Sequence, residues 1–240
     1  LDQDPGAIDK GIMIHSILED FMSEYQHTLP DDAQEKLIEI GQKYFDDSID
    51  KPTVRAFWWP RFKQIGKWFI EEEQKRRLSI KTLASETKGK IKISLPGGDF
   101  TLSATADRID QLADDSLSII DYKTGKPPSK RQLQTGFAPQ LPLEAAIAVK
   151  GGFALFPSLK VTDLSYWQLS GGEPAGKIIF YNETNKIDVM EEADKAYQGL
   201  VELANIFDLE STPYLNKPRP ESVGYGEYDH LARTIEWGDS

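Results

Sequence analysis

The chain has 240 residues, of which 39% are hydrophobic and 10% aromatic, with 39 acidic against 28 basic side chains and a net charge of −11. That apolar content is enough for a real core and too high for disorder, and the length suits one large domain or one domain with a helical elaboration. There is no cysteine, which excludes disulfides, zinc-thiolate sites and iron–sulfur clusters.

The acidity argues against a basic nucleic-acid footprint over the whole surface, although a site that collects metal ions is itself acidic and a local basic track remains compatible. No apolar run approaches membrane-spanning length and no signal peptide is recognisable, so no membrane contact and a cytoplasmic location are expected. The opening Leu1-Asp-Gln-Asp-Pro-Gly6 reads as mid-protein sequence. A domain cut from a longer polypeptide is therefore expected.

The first part, residues 1–80, reads as helical. Ile8, Gly11, His15, Leu18, Met22 and Tyr25 recur at three- and four-residue spacing, the pattern of an amphipathic helix. Pro30-Asp31-Asp32 starts a second, with Leu37, Ile38, Ile40 and Phe45 as its apolar side. Phe57-Trp58-Trp59-Pro60 leads into a third, with Phe62, Ile65, Trp68 and Phe69 inward. Lys75, Arg76 and Arg77 read as charge at its end, where the macrodipole favours bases.

From Leu78 the period changes to two. Strands are predicted over Thr82–Glu86, Lys90–Leu95, Phe100–Asp110 and Ser116–Lys123, with Pro96-Gly97-Gly98 as a turn. Lys88, Lys90 and Lys92 alternate along one strand and suit the protection of a sheet edge. Gln132–Lys150 reads as helix interrupted at Pro139 and Pro142, Val161–Ser170 and Lys177–Tyr181 as strands, and Asp188–Leu209 as helix. The core is expected over residues 81–210, with an extended tail over 211–240. Helices, a strand meander, a helix and more strands give an α+β fold with a mixed sheet.

The chemistry concentrates near the end of the meander. Asp121 and Lys123 project from one strand face, and Asp107 can approach that face if Ala104–Asp110 and Ser118–Lys123 pair as a hairpin. Two carboxylates and an ammonium at one strand end suit divalent-metal phosphodiester hydrolysis. Asp110, on the opposite face from Asp107, reads as structural, and Glu86 as a solvated or outlying acid. Lys126, Lys130 and Arg131 follow the site and suit either phosphate contact or a solvated helix start. Trp58, Trp59 and Trp68 read as core, whereas Trp167 and Trp237 suit either core or base stacking.

Gly11-Ile-Met-Ile-His15, Ala106-Asp107-Arg-Ile-Asp110, Asp121-Tyr-Lys123-Thr-Gly125 and Pro139-Gln140-Leu-Pro-Leu-Glu144 occur in the order and approximate spacing of the RecB-like nucleases. The chain thus resembles the PD-(D/E)XK superfamily, and more narrowly the C-terminal nuclease domain of AddB-type subunits of bacterial helicase–nucleases. The resemblance implies a restriction-endonuclease-like core with an N-terminal helical elaboration. It implies His15, Asp107, Asp121 and the carbonyl of Tyr122 as ligands of Mg²⁺ or Mn²⁺, Lys123 as the group that polarises the attacking water, and Gln140 as a residue that holds the nucleophile or touches DNA.

It also implies exonucleolytic cleavage of DNA single strands delivered by an AddA-like helicase partner in double-strand-break repair. Two alternatives are a noncatalytic scaffold docking such a helicase and a stand-alone RecB-family nuclease. Many relatives carry four cysteines for an iron–sulfur cluster, and here the tail is expected to dock instead through Tyr214, Tyr225, Tyr228 and Trp237. Relatives often place a Tyr one turn after the Gln, where this chain has Glu144.

Overall fold

The computed structural model describes residues 7–46, 54–181 and 188–213. The tail aromatics Tyr214, Tyr225, Tyr228 and Trp237, and the side chain of Ile8, lie outside the described residues. Among the described residues no helix is long and apolar enough to cross a membrane.

A five-stranded sheet runs in the order β1 to β5, comprising β1 (Ile80–Leu95), β2 (Gly98–Leu112), β3 (Leu117–Lys123), β4 (Val161–Leu169) and β5 (Gly176–Phe180). Neighbours pair antiparallel except β3 and β4, which are parallel. A parallel pair needs a crossover, supplied here by α4 (Lys130–Gln134) and α5 (Gln140–Val149). The mixed sheet expected from sequence is thus present, with the interrupted helix resolved into two and Pro142 tolerated in the first turn of α5.

Helices cover both sheet faces. On one side lie α1 (Ala7–Glu24), α2 (Ala33–Asp46) and α3 (Trp59–Arg76), whose Ile14, Leu18, Leu37, Phe62 and Phe69 pack on Ile120, Tyr122 and Trp167 of the sheet. On the other lie α5 and α6 (Val189–Phe207), where Leu141, Ala145 and Val189 meet Ile109, Ile119 and Tyr166. Trp167 is fully buried, ringed edge-on by Trp68, Phe69 and Tyr122. It is core, and the alternative of base stacking falls. Phe57, by contrast, is 64% exposed.

Two predicted strands prove to be one. β1 runs unbroken through Glu86-Thr87-Lys88-Gly89, although that stretch lacks an apolar alternation, because it keeps one register with β2 on both sides of Glu86. Gly89 has no side chain, so the Phe153 ring seats directly on the strand; a Cβ there would lie 2.5 Å from it. β1 is a sheet edge, and the exposed Lys88, Lys90 and Lys92 line it as expected.

Arg76 and Arg77 are not mere helix-end charge. Arg108 and Asp110 of β2 are fully buried with Glu73 of α3. Arg108 binds Glu73 through Nη1 and donates from Nε to Asp110 at 2.7 Å. Arg76 donates to Asp110 and, at 2.8 Å, to Ser118, while Arg77 donates to Glu73 at 3.0 Å. Each buried carboxylate therefore meets two guanidinium groups, which offsets the desolvation that burial imposes. The network bolts α3 to the sheet centre and gives Asp110 a structural role, although on the side of the sheet covered by α1 and α3, toward which Asp107 also meets His15.

Candidate metal centre

The site forms where β2 and β3 part. Their ladder ends at Arg108 opposite Ile120, whereas β3 continues along β4 to Lys123. The N–H of Tyr122, free of the ladder, donates to Asp107 Oδ2 at 2.7 Å. A side chain thus replaces a strand and splays the sheet open beside Asp121.

Across β2, the backbone of β1 departs from strand geometry at the same level with no shift of register. Ser85 faces Arg108 and Thr87 faces Ala106, leaving Glu86 abreast of Asp107. Glu86 has a φ of +46°, a strained conformation for a residue with a side chain. Ala106 and Ile109 both pack toward α5, so the ordinary alternation of β2 slips across Asp107 and Arg108. Glu86 and Asp107 there meet a residue from α1.

The residue is His15. One ligand atom from each of His15, Glu86 and Asp107 lies within 4.8 Å of the others, and His15 Nδ1 is 3.7 Å from Asp107 Oδ2. His15 sits at the margin of the buried face of α1, which is carried by Ile14, Ile17, Leu18, Phe21 and Met22. Gly11, one turn earlier, lies close against Thr124 just after β3, which sets the helix beside the strand end. An open depression of about 350 Å³ lined by Gly11, Ile12, His15, Ser16, Glu19 and Glu86 leads to the cluster.

Asp121 occupies the adjoining position. It is 1% exposed, and Lys123 Nζ lies 2.8 and 2.7 Å from its two oxygens. Gln140 Nε2 donates to Asp121 Oδ1 at 2.7 Å and to Glu144 Oε1 at 3.2 Å, while Gln140 Oε1 accepts from Lys123 at 3.4 Å. Gln140 thus binds the acids and the lysine rather than standing free. Lys126, Lys130 and Arg131 are exposed on the loop and at the start of α4, which Ser129 and Gln132 close in a capping box.

The acids press on one another. Burial first, then the charge of Asp107, raises Asp121 to about 6 against the pull of Lys123. Burial, then Asp107 and Glu19, raises Glu86 to about 7. Burial raises Glu144 to about 8, partly countered by the Gln140 hydrogen bond. A divalent cation is the counter-charge such a set fits, since carboxylates and an imidazole are its ordinary ligands.

His15, Asp107, Asp121 and Lys123, all expected at the site from sequence, lie together, and Glu86, expected to be solvated or outlying, joins His15 and Asp107. Its signal is the strand register: Glu86 lies abreast of Asp107 only once the two predicted strands are joined into β1.

The family model for the PD-(D/E)XK nuclease superfamily matches residues 1–219. An uncharacterised protein of Rickettsia bellii (strain RML369-C) is 26% identical over 88% of this chain and 27% of its own length. One of Rickettsia conorii (strain ATCC VR-613 / Malish 7) is 30% identical over 66% of this chain and 20% of its own length. The chain therefore spans about a quarter or less of the curated relatives it matches. The crystal structure of SSO0001 aligns over 87% of this chain and 90% of its own, at 13% identity and a TM-score of 0.33. With a family match over nearly its whole length and an α+β mixed sheet flanked by helices, the chain belongs to the PD-(D/E)XK nuclease superfamily.

Proposed function

We propose that this chain is a divalent-metal-dependent deoxyribonuclease domain that hydrolyses phosphodiester bonds. The carrying observation is the splayed β2–β3 junction, where Asp107 is fixed by the Tyr122 N–H beside His15 and Glu86, and Asp121 is gripped by Lys123. His15, Asp107, Asp121 and the Tyr122 carbonyl would hold Mg²⁺ or Mn²⁺, with Glu86 as a further carboxylate.

A bound cation there would lower the pKa of a coordinated water and neutralise charge on the scissile phosphate. Lys123, paired with Asp121, is positioned to orient the attacking water and to stabilise negative charge as it develops on phosphorus oxygens. Gln140 keeps Asp121 and Lys123 in register with each other. Lys126, Lys130 and Arg131 supply exposed positive charge close by for the phosphates of the incoming strand.

The finer reading is an exonuclease acting on single strands delivered by an AddA-like helicase partner during double-strand-break repair, within an AddB-type polypeptide. The greater length of the matched relatives agrees with further domains beside the nuclease. Degradation of linear single-stranded DNA with Mg²⁺ or Mn²⁺, compared across the parent, Asp121→Ala and Lys123→Ala, tests the proposal. Metal-dependent cleavage lost in both variants supports it; cleavage that survives both refutes the assignment of the site.

A further inference from the structure

Glu144 lies on α5 one turn beyond Gln140 and is only 2% exposed. Its neighbours Leu141, Ala145, Ala146, Ile147 and Ala148 are apolar and buried, so packing alone would favour another aliphatic residue here. Burying a carboxyl costs free energy unless its oxygens are satisfied. Glu144 Oε2 is buried with no hydrogen-bond partner, as is the hydroxyl of Tyr166, the β4 residue opposite Asp121. Such a costly placement calls for a role, and the partner of the other oxygen supplies one.

Gln140 has two amide hydrogens and one carbonyl. The amide nitrogen serves Glu144 Oε1 and Asp121 Oδ1, and the carbonyl serves Lys123. Turning the carboxamide over would aim its carbonyl at two carboxyl groups and its NH₂ at an ammonium. Glu144 thus holds a flexible side chain in the one orientation that contacts both Asp121 and Lys123, and it touches neither of them by a hydrogen bond. A glutamine at this position keeps the length of the side chain and an oxygen that can accept from Gln140 Nε2, so Glu144→Gln is the conservative variant.

We infer that Glu144 is a positioning residue for phosphodiester hydrolysis, fixing the Gln140 carboxamide so that it aligns Asp121 with Lys123. The inference rests on the nuclease reading above and extends it to a residue that contacts no substrate. It is tested by steady-state cleavage of a single-stranded oligonucleotide with Glu144→Ala, Glu144→Gln, Gln140→Ala and the double alanine variant, alongside ¹H–¹⁵N spectra of the Gln140 side-chain amide.

Glu144→Ala is expected to lower kcat by about tenfold to a hundredfold, the scale of a small misplacement of reacting groups, with KM unchanged. Glu144→Gln is expected to rescue kcat, and the double variant to be no worse than Gln140→Ala alone. The Gln140 amide signals, distinct in the parent and in Glu144→Gln, are expected to move to the position of exposed glutamines in Glu144→Ala. Full kcat in Glu144→Ala, an equal loss in Glu144→Gln, or losses that multiply in the double variant would overturn the inference. So would an unmoved amide signal in Glu144→Ala. A parent that cleaves no DNA but shows the amide shift would instead overturn the nuclease reading and leave the Glu144–Gln140 coupling standing.

Discussion

The Tyr122 backbone N–H donates to Asp107 Oδ2 at 2.7 Å, at the level where β2 and β3 cease to pair. The bond gives Asp107 two tasks, since the same oxygen lies 3.7 Å from His15 Nδ1. Asp107→Asn can still present a carbonyl oxygen to the N–H, whereas Asp107→Ala cannot. Both are expected to abolish metal-dependent cleavage, by about a hundredfold or more. Only the alanine should also lower the unfolding free energy read from urea denaturation, by the ~1–3 kcal/mol of an unsatisfied buried donor. Equal stability of the two variants would show that the bond contributes nothing to the fold.

Glu86 and His15 predict a metal-affinity phenotype separable from folding. Both side chains are partly exposed and Glu86 is disfavoured as an anion by burial and Asp107, so neither Glu86→Gln nor His15→Ala should lower the melting temperature of the metal-free protein appreciably. Each should weaken Mn²⁺ binding, measured by calorimetry or electron paramagnetic resonance, by about tenfold or more, the loss of one ligand. Unchanged affinity in Glu86→Gln would remove it from the ligand set.

Much of this site could be read from sequence because strands alternate: Asp121 and Lys123 share a face whatever else the chain does, and a short turn brings Asp107 near them. Glu86 was hidden by the polar stretch Glu86-Thr87-Lys88-Gly89, which breaks the period-two pattern. β1 passes through it because β2 supplies the hydrogen bonds and Phe153 packs where Gly89 has no side chain. Arg76 and Arg77 looked like ordinary helix-end bases because their partners, Asp110 and Ser118 for one and Glu73 for the other, are defined by tertiary packing or by helix register. Gln140 had a recognisable place in the motif order, but its contacts with Asp121, Lys123 and Glu144 required the angle at which α5 crosses the sheet.

The raised carboxyls predict a pH dependence of stability in the metal-free protein. Burial lifts the carboxyls of Asp121, Glu86 and Glu144 above the ordinary carboxylate range, to about 6, about 7 and about 8. The folded state therefore binds protons more tightly than the unfolded chain between about pH 4 and pH 8, so stability declines as pH rises through that window. Denaturation in a chelating buffer should show a lower midpoint at pH 8 than at pH 5. Glu144→Gln should flatten the upper part of the slope and Asp121→Asn the lower. Mn²⁺ at pH 8 should restore the midpoint, because it binds only the native arrangement of ligands. A midpoint rising from pH 5 to pH 8 without metal would contradict these assignments.

The buried network predicts where the fold is most fragile. Arg108 is fully buried between Glu73 and Asp110, and its guanidinium also lies 5.6 Å from the centre of the Trp167 ring. Arg108→Met would keep much of the side-chain volume while leaving Glu73 and Asp110 with Arg77 and Arg76 as their remaining guanidinium partners. Removing one member of a buried ionic set costs about 3–5 kcal/mol, a large share of the ~5–15 kcal/mol that holds a typical domain together. Glu73→Gln is the milder lesion, since its carbonyl oxygen can still accept from Arg108 or Arg77. The urea midpoint should therefore fall in the order parent, Glu73→Gln, Arg108→Met, and activity should follow the folded fraction. An Arg108→Met protein as stable as the parent would mean that Arg76 and Arg77 alone neutralise the two buried carboxylates.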